Sequence, residues 1–531
     1  MQTVCFDVNE IYRKLIYRIL TIVFNSKIFS YCCLLLTMVS KAITPTAAAS
    51  SSPVIMFGCP SRSLIKPCLC NDLVKGLEIF CEGLQPIKLK SVLEHLEMNE
   101  KIIVYMKIKN TYMPTLPDEL FGLIRIRHLM IHNCHLGTMK QSTFSQTGEE
   151  IESLDLSKNQ FTKIPKALGV LINLVSLNLN YNRIESIESN AFEGLRSLLR
   201  LFLFGNKIHT IHPHAFIGIA FNVTRINLGG NHLSSIPSDA LQSLKSIQRL
   251  QLHENKIHRI QRKHFHRLRN LDNLDVINLA GNLLQSLDAN AFYDLKALNS
   301  IDLEMNRIST IDPMAFNGLQ DSLEWLKLDS NELAEVPTSA LNLLTKLREL
   351  DLRNNFIEKI HTESFRNFGS KIKFLYLQKN RIDFIANDSF QNLSSIEWLY
   401  LNSNQLKHLP KRLFETIIER NLTILDLHDN PLICDCEIDW YRRWIESNDR
   451  NQQLSHVWKE TKCFYANTVD ENENWNANEI DPISYQSREL PITKLPSMVK
   501  CEALVLTFHF QLWFWSSSLS LWWLNFLDFS F

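Results

Sequence analysis

The sequence lacks the features of several large functional classes. Its 531 residues carry 56 basic and 56 acidic side chains, so there is no excess positive charge to attract nucleic acid. Glycine and proline are scarce, at 15 and 17 residues, which together with normal hydrophobic content excludes a disordered chain. G-x-S-x-G, H-E-x-x-H, G-x-G-x-x-G and P-loop motifs are all absent. We therefore predict a protein that is not an enzyme, needs no cofactor and has no nucleic-acid partner.

Cysteine is missing from the whole centre of the chain. None lies between Cys134 and Cys434, and two groups of four flank this stretch. Such grouping predicts disulfide bonds and an oxidising compartment. C-x-x-C is absent, which argues against redox catalysis, and the C-x-C spacing is tighter than a tetrahedral sulfur site usually requires, so we predict no metal. The two groups are Cys59, Cys68, Cys70 and Cys81, then Cys434, Cys436, Cys463 and Cys501.

A repeat fills the cysteine-free centre. The stretches IESLDLSKNQF at Ile151, LVSLNLNYNRI at Leu174 and LLRLFLFGNKI at Leu198 share the frame L-x-x-L-x-L-x-x-N-x-L. About fourteen copies follow one another at spacings of 23 to 27 residues, the first two being weaker. This frame resembles the leucine-rich repeat, a unit that stacks into a solenoid.

The frame dictates how each copy sits in the solenoid. Its fourth and sixth positions point inward from a short strand, and the intervening positions point outward, so stacked copies build a parallel sheet along a concave face. The asparagine at the ninth position can bond to turn backbone groups that would otherwise be buried unpaired. Thr111 and Cys134 take this position in the first two copies, and we expect Cys134 to be a buried small side chain. The asparagines are Asn159, Asn182, Asn206, Asn231, Asn255, Asn282, Asn306, Asn331, Asn355, Asn380, Asn404 and Asn430.

A phenylalanine recurs on the opposite side of most copies and is expected to fill the convex side of the core. In other copies proline segments (IPKAL, IPSDA, VPTSA) replace part of this turn, which suits irregular or short helical convex segments. We predict an α/β solenoid, a leucine-rich repeat horseshoe of about 14 repeats over residues 101–433, with a parallel concave β-sheet and disulfide caps at both ends. The phenylalanines are Phe144, Phe192, Phe216, Phe265, Phe292, Phe316, Phe365, Phe390 and Phe414.

The cysteine groups sit where a solenoid leaves open apolar ends. N-P-x-x-C-D-C-x-x-x-W, ending at Trp440, resembles the carboxy-flanking module of extracellular leucine-rich repeat proteins such as Slit, chaoptin, connectin and the Toll ectodomain, and the first group resembles their amino-flanking module. Caps are therefore expected at 50–100 and 434–502, with Trp440, Trp444 and Ile445 packed on the last coil. Each group alone allows three pairings. The resemblance implies Cys59–Cys70, Cys68–Cys81, Cys434–Cys463 and Cys436–Cys501.

Both termini are apolar. Residues 1–49 contain an apolar run from Ile28 to Val39 after basic residues, which predicts either a cleaved signal peptide or a retained signal anchor. Residues 503–531 fit a glycolipid-anchor signal, a transmembrane helix or a gene-model error. We predict an extracellular protein, secreted or anchored to the outer face of the plasma membrane through this tail. Secretion is supported by four glycosylation sequons, at Asn222, Asn387, Asn392 and Asn421.

Outward strand positions predict a binding surface on the concave face, because solvent-facing aromatic side chains are costly unless covered. Alternatively, glycan or a second copy of the chain covers them. We predict recognition of an extracellular or cell-surface protein; the alternative is the non-catalytic subunit of a secreted enzyme, because the leucine-rich partner of the shrimp luciferin monooxygenase has the same modules. The acidic residues Asp302, Glu304 and Asp329 separate two predicted patches. One patch contains Trp325, Phe374, Tyr376, Trp398 and Tyr400, and the other contains Arg200, Phe202, Phe204, Arg225 and Arg249.

Overall fold

The computed structural model of the protein describes residues 58–97, 102–269, 271–448, 461–465 and 488–494. The predictions for the leader (1–49), the tail (503–531) and the pairing of Cys501 lie outside these ranges. A sixteen-stranded sheet dominates the described residues, and its spatial order follows the chain. Its strands are β1 Leu69–Leu73, β2 Gly76–Glu82, β3 Ile103–Lys109, β4 Ile126–His132, β5 Ser153–Asp155, β6 Ser176–Asn178, β7 Arg200–Phe202, β8 Arg225–Asn227, β9 Arg249–Gln251, β10 Val276–Asn278, β11 Ser300–Asp302, β12 Trp325–Lys327, β13 Glu349–Asp351, β14 Phe374–Tyr376, β15 Trp398–Tyr400 and β16 Ile424–Asp426.

The sheet is parallel except at its start, where β1 and β2 form an antiparallel hairpin. The other fourteen strands come one from each copy of the frame, which confirms the predicted solenoid of about 14 repeats. Along β7, Leu201 is buried while Arg200 is exposed and Phe202 half-buried, as strand alternation requires. The solvent side of this sheet is the concave face.

The convex side contains turns and short elements. Four pairs of two-residue parallel strands lie there, such as Ser186–Ile187 with Thr210–Ile211. None of the helices in the described ranges is long and apolar enough to span a bilayer. The α-helices in the part of the chain that the structure describes are α1 Arg62–Ile65, α2 Pro86–Glu97, α3 Ser238–Leu241, α4 Arg262–His266, α5 Thr338–Leu341, α6 Glu415–Ile418 and α7 Asp439–Asn448.

The ninth-position asparagines form a continuous buried ladder. Asn182 shows the pattern: its Nδ2 donates to the carbonyl oxygens of Leu156 and Leu179, each at 3.0 Å, and its Oδ1 accepts from the Phe161 N–H at 3.1 Å. Leu179 belongs to the same repeat and Leu156 to the preceding one, so each asparagine joins two repeats. These bonds satisfy backbone groups that cannot reach water.

Thr111 and Cys134 occupy the ladder position with fewer bonds. The Thr111 hydroxyl accepts from the Leu84 N–H at 3.3 Å and donates to the Lys109 carbonyl at 3.1 Å. Cys134 is buried, its thiol is free, and burial raises its pKa. The prediction that Cys134 is a packed side chain rather than a reactive thiol is therefore confirmed.

The residue just before the ladder position has a left-handed backbone in all fourteen repeats, with φ between 51° and 68°. Glycine adopts this conformation freely, whereas other residues do so at a cost of about 1–2 kcal/mol. Only three of the fourteen are glycine. The fourteen residues with this left-handed backbone are Asn110, Asn133, Lys158, Tyr181, Gly205, Gly230, Glu254, Gly281, Met305, Ser330, Asn354, Lys379, Ser403 and Asp429.

Removing a glycine from this left-handed position should lower stability, and introducing one should raise it. Gly281→Ala is expected to lower the free energy of unfolding by about 1 kcal/mol, and Lys379→Gly to raise it by about 0.5 kcal/mol. A Cβ at Gly281 would come no closer than 3.4 Å to its neighbours, so backbone conformation rather than collision causes the loss. Chemical denaturation of each variant measures the effect, and two changes of the same sign would contradict it.

The phenylalanine spine is buried as predicted. Successive rings stack across the repeats, with centroids 5.8 Å apart for Phe192 and Phe216 and 5.9 Å apart for Phe292 and Phe316. Phe121, which was not among the predicted spine residues, also belongs to the spine and stacks on Phe144 at 5.7 Å. In the repeats with proline, the buried Leu168, Leu241 and Leu341 take the place of the rings.

Two disulfide bonds lie beside the first repeat. Cys59 joins Cys70 and Cys68 joins Cys81, so both bonds tie to the β1–β2 hairpin. Helix α2 follows the hairpin and buries Leu89, Val92, Leu93 and Leu96. These positions lie on one helical face by their three- and four-residue spacing. The hairpin thus continues the sheet while the helix adds to the core.

Beyond the last repeat, α7 packs across β16. The Trp440 indole stacks on the final spine ring, Phe414, at 5.4 Å and donates to the Leu409 carbonyl at 2.6 Å. Trp444 and Ile445 are buried, as expected, and the fully buried Tyr441 donates its hydroxyl to the Leu425 carbonyl at 2.9 Å. Cys434 is bonded to Cys463. Three of the four bonds implied by the resemblance are thus present in the structure.

Candidate binding surface on the concave face

Four aromatic side chains meet on the concave face of β14 and β15, and we call them the aromatic block: Phe374, Tyr376, Trp398 and Tyr400. The rings of Phe374 and Trp398 lie 4.6 Å apart, and those of Tyr376 and Tyr400 are stacked at 5.3 Å. All four are half-buried. The block arises because adjacent repeats place aromatic residues at the same outward positions in register. The packed rings form one continuous, partly apolar surface.

Trp325 lies two strands from the block. It shares a row with Glu349 and Phe374, because β12, β13 and β14 pair in register. Its side chain is exposed, at 37%. The structure therefore places Trp325 on the same face as the block but separated from it by a glutamate, as the sequence indicates.

A charged group borders the block. The Arg353 guanidinium lies 3.0 Å from the Asp351 carboxylate and 3.7 Å from that of Asp329, and it sits 5.8 Å from the centre of the Tyr376 ring. Asp329 Oδ1 is buried and has no hydrogen-bond partner in the described residues. On the neighbouring strand β11, burial raises the pKa of Asp302. The pKa of Glu304 is raised by burial and then by the neighbouring carboxylates of Asp302 and Asp329.

Asp351 should make stability depend on pH. Burial, then the nearby Asp329 carboxylate, raises the pKa of Asp351 to about 7. The unfolded carboxyl ionises near pH 4, so between about pH 4 and 7 the folded chain binds the extra proton and stability falls as pH rises. Asp351→Asn is expected to be more stable than the parent by about 1–2 kcal/mol at pH 8, with the difference shrinking toward pH 4.

Denaturation at several pH values tests this. The exposed Glu363, which pairs with Arg366 on the convex side, supplies the control variant Glu363→Gln. A difference between Asp351→Asn and the parent that stays constant from pH 4 to 8 would contradict the prediction.

The predicted basic patch lies on β7 to β9. Arg200, Arg225 and Arg249 are all exposed and stand directly beside one another, because these strands pair in register. Phe202 and Phe204 are half-buried. Among the described residues Phe204 makes no cation–π contact with an arginine. Its ring stacks instead on His253, with centroids 5.3 Å apart.

The contact between Phe204 and His253 was missed in the sequence analysis, although Gly229-Gly230 was a signal. A Cβ on Gly229, two residues after β8, would lie 2.4 Å from the His253 ring, so only glycine at this position lets the ring reach Phe204. Tyr181 completes the group by meeting Phe204 edge-on at 5.4 Å. We call Tyr181, Phe204 and His253 the ring shelf.

The remaining predicted sites lie away from the concave strands. Asn222, Asn387 and Asn421 are exposed and Asn392 is half-buried. One group in the described residues has metal-ligand geometry: the ligand atoms of His408, Asp435 and Glu437 lie within 4.8 Å of one another. His408 Nδ1 is 2.7 Å from Asp435, whose other oxygen accepts from the Glu437 N–H at 2.9 Å. The Asp435 carboxylate thus caps the start of the short helical turn at Cys436–Ile438 and pairs with His408.

Comparison with protein families identifies the repeat. A family model described as leucine rich repeat matches residues 172–220, 221–276, 272–333, 321–370 and 370–432, and a second leucine rich repeat model matches 150–171. The matches form one continuous stretch covering over half of the chain. They coincide with the repeats from β5 onward.

Individual relatives match shorter parts. Mouse podocan is 28% identical over 215 residues, which cover 39% of this chain and 34% of podocan. Human leucine-rich repeats and immunoglobulin-like domains protein 1 is 34% identical over 92 residues, covering 17% of this chain and 8% of that protein. The chain therefore matches about a third of podocan's length and less than a tenth of the other relative's length. A crystal structure of a TLR13–ssRNA13 complex shares the fold, with a TM-score of 0.52 at 22% identity over 69% of this chain and 58% of that one.

Proposed function

Because the chain belongs to the leucine-rich repeat family, we propose that it is a non-enzymatic extracellular protein that binds another protein on its concave face. An extracellular location is supported by three disulfide bonds, which persist in oxidising compartments, and by the sequons. The similarity to podocan and to leucine-rich repeats and immunoglobulin-like domains protein 1 is consistent with such a role.

The aromatic block carries the proposal. Four rings already packed against one another offer a large apolar and hydrogen-bonding area without a further loss of side-chain freedom. Aromatic residues of this kind dominate the free energy of protein–protein binding. The surface is a sheet face rather than an enclosed cavity, so it suits a protein better than a small molecule.

The two disulfide-bonded ends are proposed to be caps. Residues 50–100 would cover the first repeat with the β1–β2 hairpin and α2, and residues 434–502 would cover the last with α7. Support comes from Tyr441, which is fully buried against β16, and from the four leucine and valine side chains that α2 buries. Anchoring through 503–531 and association of the chain with itself stay predictions.

Partner capture tests the proposed function. The tagged full chain is cross-linked on tissue, the captured proteins are identified, and their affinity for purified variants is measured. Trp398→Ala with Tyr400→Ala is expected to weaken binding at least about tenfold, because each ring is a candidate anchor.

Phe384→Ala is the matched control, because this ring is 51% exposed and lies outside the sixteen-stranded sheet. If the double variant and the control variant capture the partner protein equally well, the concave-face proposal is wrong. Recovery of a catalytic chain that requires this protein for activity would instead support the enzyme-subunit alternative.

A further inference from the structure

Three arginines form an unpaired row on the concave face. Arg200, Arg225 and Arg249 occupy paired positions on β7, β8 and β9, strands that lie about 4.8 Å apart. Among the described residues the row has no ion-pair partner. Arg127, Arg348 and Arg353 do have one, in Glu152, Glu324 and Asp351.

Such a row is unfavourable in isolation. Like charges directly opposite on neighbouring strands destabilise a sheet, and one acidic residue on an adjacent strand would relieve the repulsion. Instead the row ends at Ser176 on one side and at Val276 on the other. The three charges are thus left available to an anionic ligand of limited length.

The side chains next to the row suit a peptide. Asn227 and Gln251 occupy the next outward positions of β8 and β9 and are half-buried. Asn227 Oδ1 accepts from the Gly229 N–H at 2.8 Å, which directs this amide, and its NH₂ has no partner among the described residues. Side-chain amides at this spacing can bond to the N–H and C=O groups of an extended backbone.

The ring shelf closes the other side of the surface. His253 stacks on Phe204, and its Nδ1 is buried with no partner in the part of the chain that the structure describes. Burial lowers the pKa of His253, so the ring is neutral at physiological pH and leaves one nitrogen in need of a bond. The shelf adds a flat apolar contact beside the amides.

We infer that the arginine row, the two amides and the ring shelf together bind an extended acidic segment of the protein partner. This rests on the proposed function, since it states which chemistry the partner presents to β7–β9. A peptide fits better than a long polyanion, because only three charges stand in a single row. Nucleic acid and sulfated glycan bind broader basic fields.

Binding of a fluorescein-labelled octaglutamate peptide to the full chain tests the inference by fluorescence anisotropy. The triple variant Arg200→Gln, Arg225→Gln, Arg249→Gln is expected to bind at least about tenfold more weakly, and binding to the parent should weaken as salt rises. A triple lysine variant should retain most of the affinity.

The control is Arg183→Gln, Lys207→Gln, Arg307→Gln, which makes the same change in net charge. Each of these exposed residues directly follows a ladder asparagine and lies outside the strands. This control should bind octaglutamate as the parent does. Circular dichroism should show all variants folded, because every altered side chain is exposed.

Several results would overturn the inference. One is equal octaglutamate binding by the arginine-row variant and the parent. Another is row-dependent binding of heparin hexasaccharide or single-stranded RNA at concentrations where octaglutamate does not bind. The aromatic-block variant separates the two proposals, because it should bind octaglutamate normally while losing the partner protein. Partner capture that needs the block but not the row would leave the proposed function standing and reject the acidic segment.

Discussion

Replacing Asn331 by alanine is expected to lower the free energy of unfolding by about 3–5 kcal/mol. The Asn331 Oδ1 accepts from the Ile308 N–H at 2.9 Å, and its Nδ2 lies 3.0 Å from the carbonyl oxygens of both Leu303 and Leu328. Alanine leaves the buried N–H without a partner and removes one of two amide donors from each carbonyl. Denaturant unfolding measures the loss.

Asn299→Ala is the control, because this half-buried asparagine has no side-chain bond in the described residues, and its removal should cost less than about 0.5 kcal/mol. The Leu328 carbonyl also accepts from Asn355 at 3.0 Å. Removing Asn331 and Asn355 together therefore orphans this oxygen, and the double variant should lose more than the sum of the single losses. Strict additivity would show that the carbonyl is not shared.

Phe292→Ala is expected to cost about 3–5 kcal/mol, because it removes a ring from the centre of the convex spine. Phe292 is fully buried and stacks on Phe265 at 5.6 Å and on Phe316 at 5.9 Å. Alanine leaves a cavity whose walls are held by two neighbouring repeats, so the site cannot collapse easily. Thermal and denaturant unfolding measure the change.

The exposed Phe221, at 76%, supplies the matched control Phe221→Ala, which should change stability by about 0.5 kcal/mol or less. Phe292→Leu keeps an apolar side chain in the site and should cost less than the alanine variant. A cost for Phe292→Ala below about 1 kcal/mol would mean that the spine contributes little to the fold.

Much of the fold could be predicted because the repeat imposes the same physical demand at each copy. Each turn of the solenoid has an interior to fill and buried backbone groups to pair. Leucines at the inward positions and the recurring phenylalanines fill the interior, and Asn182 and its equivalents pair the backbone groups. The sheet order and the spine followed from these residues. Equivalent outward positions in neighbouring repeats likewise grouped Tyr376 with Tyr400 and Arg200 with Arg225 in the predicted patches.

Other features do not follow from the repeat frame. The left-handed position is occupied by residues as different as Lys158, Tyr181 and Met305, so only the geometry of the turn identifies it. Helix α2 lies outside the repeat and was not anticipated. The contact of His253 with Phe204 depends on the missing side chain of Gly229, and the link from Arg353 to Asp351 is a choice of rotamer. None of these follows from periodicity.

The shared bonds of the asparagine ladder have a consequence for cooperativity. Each rung connects only adjacent repeats, so the solenoid behaves as a line of units whose folding is coupled from neighbour to neighbour. From Asn159 to Asn430 the line is uninterrupted, and it should melt as one block. Weakening a rung in the middle, such as Asn306, creates a boundary at which the two arms can open separately. One residue thus sets how far an unfolding event spreads along the molecule.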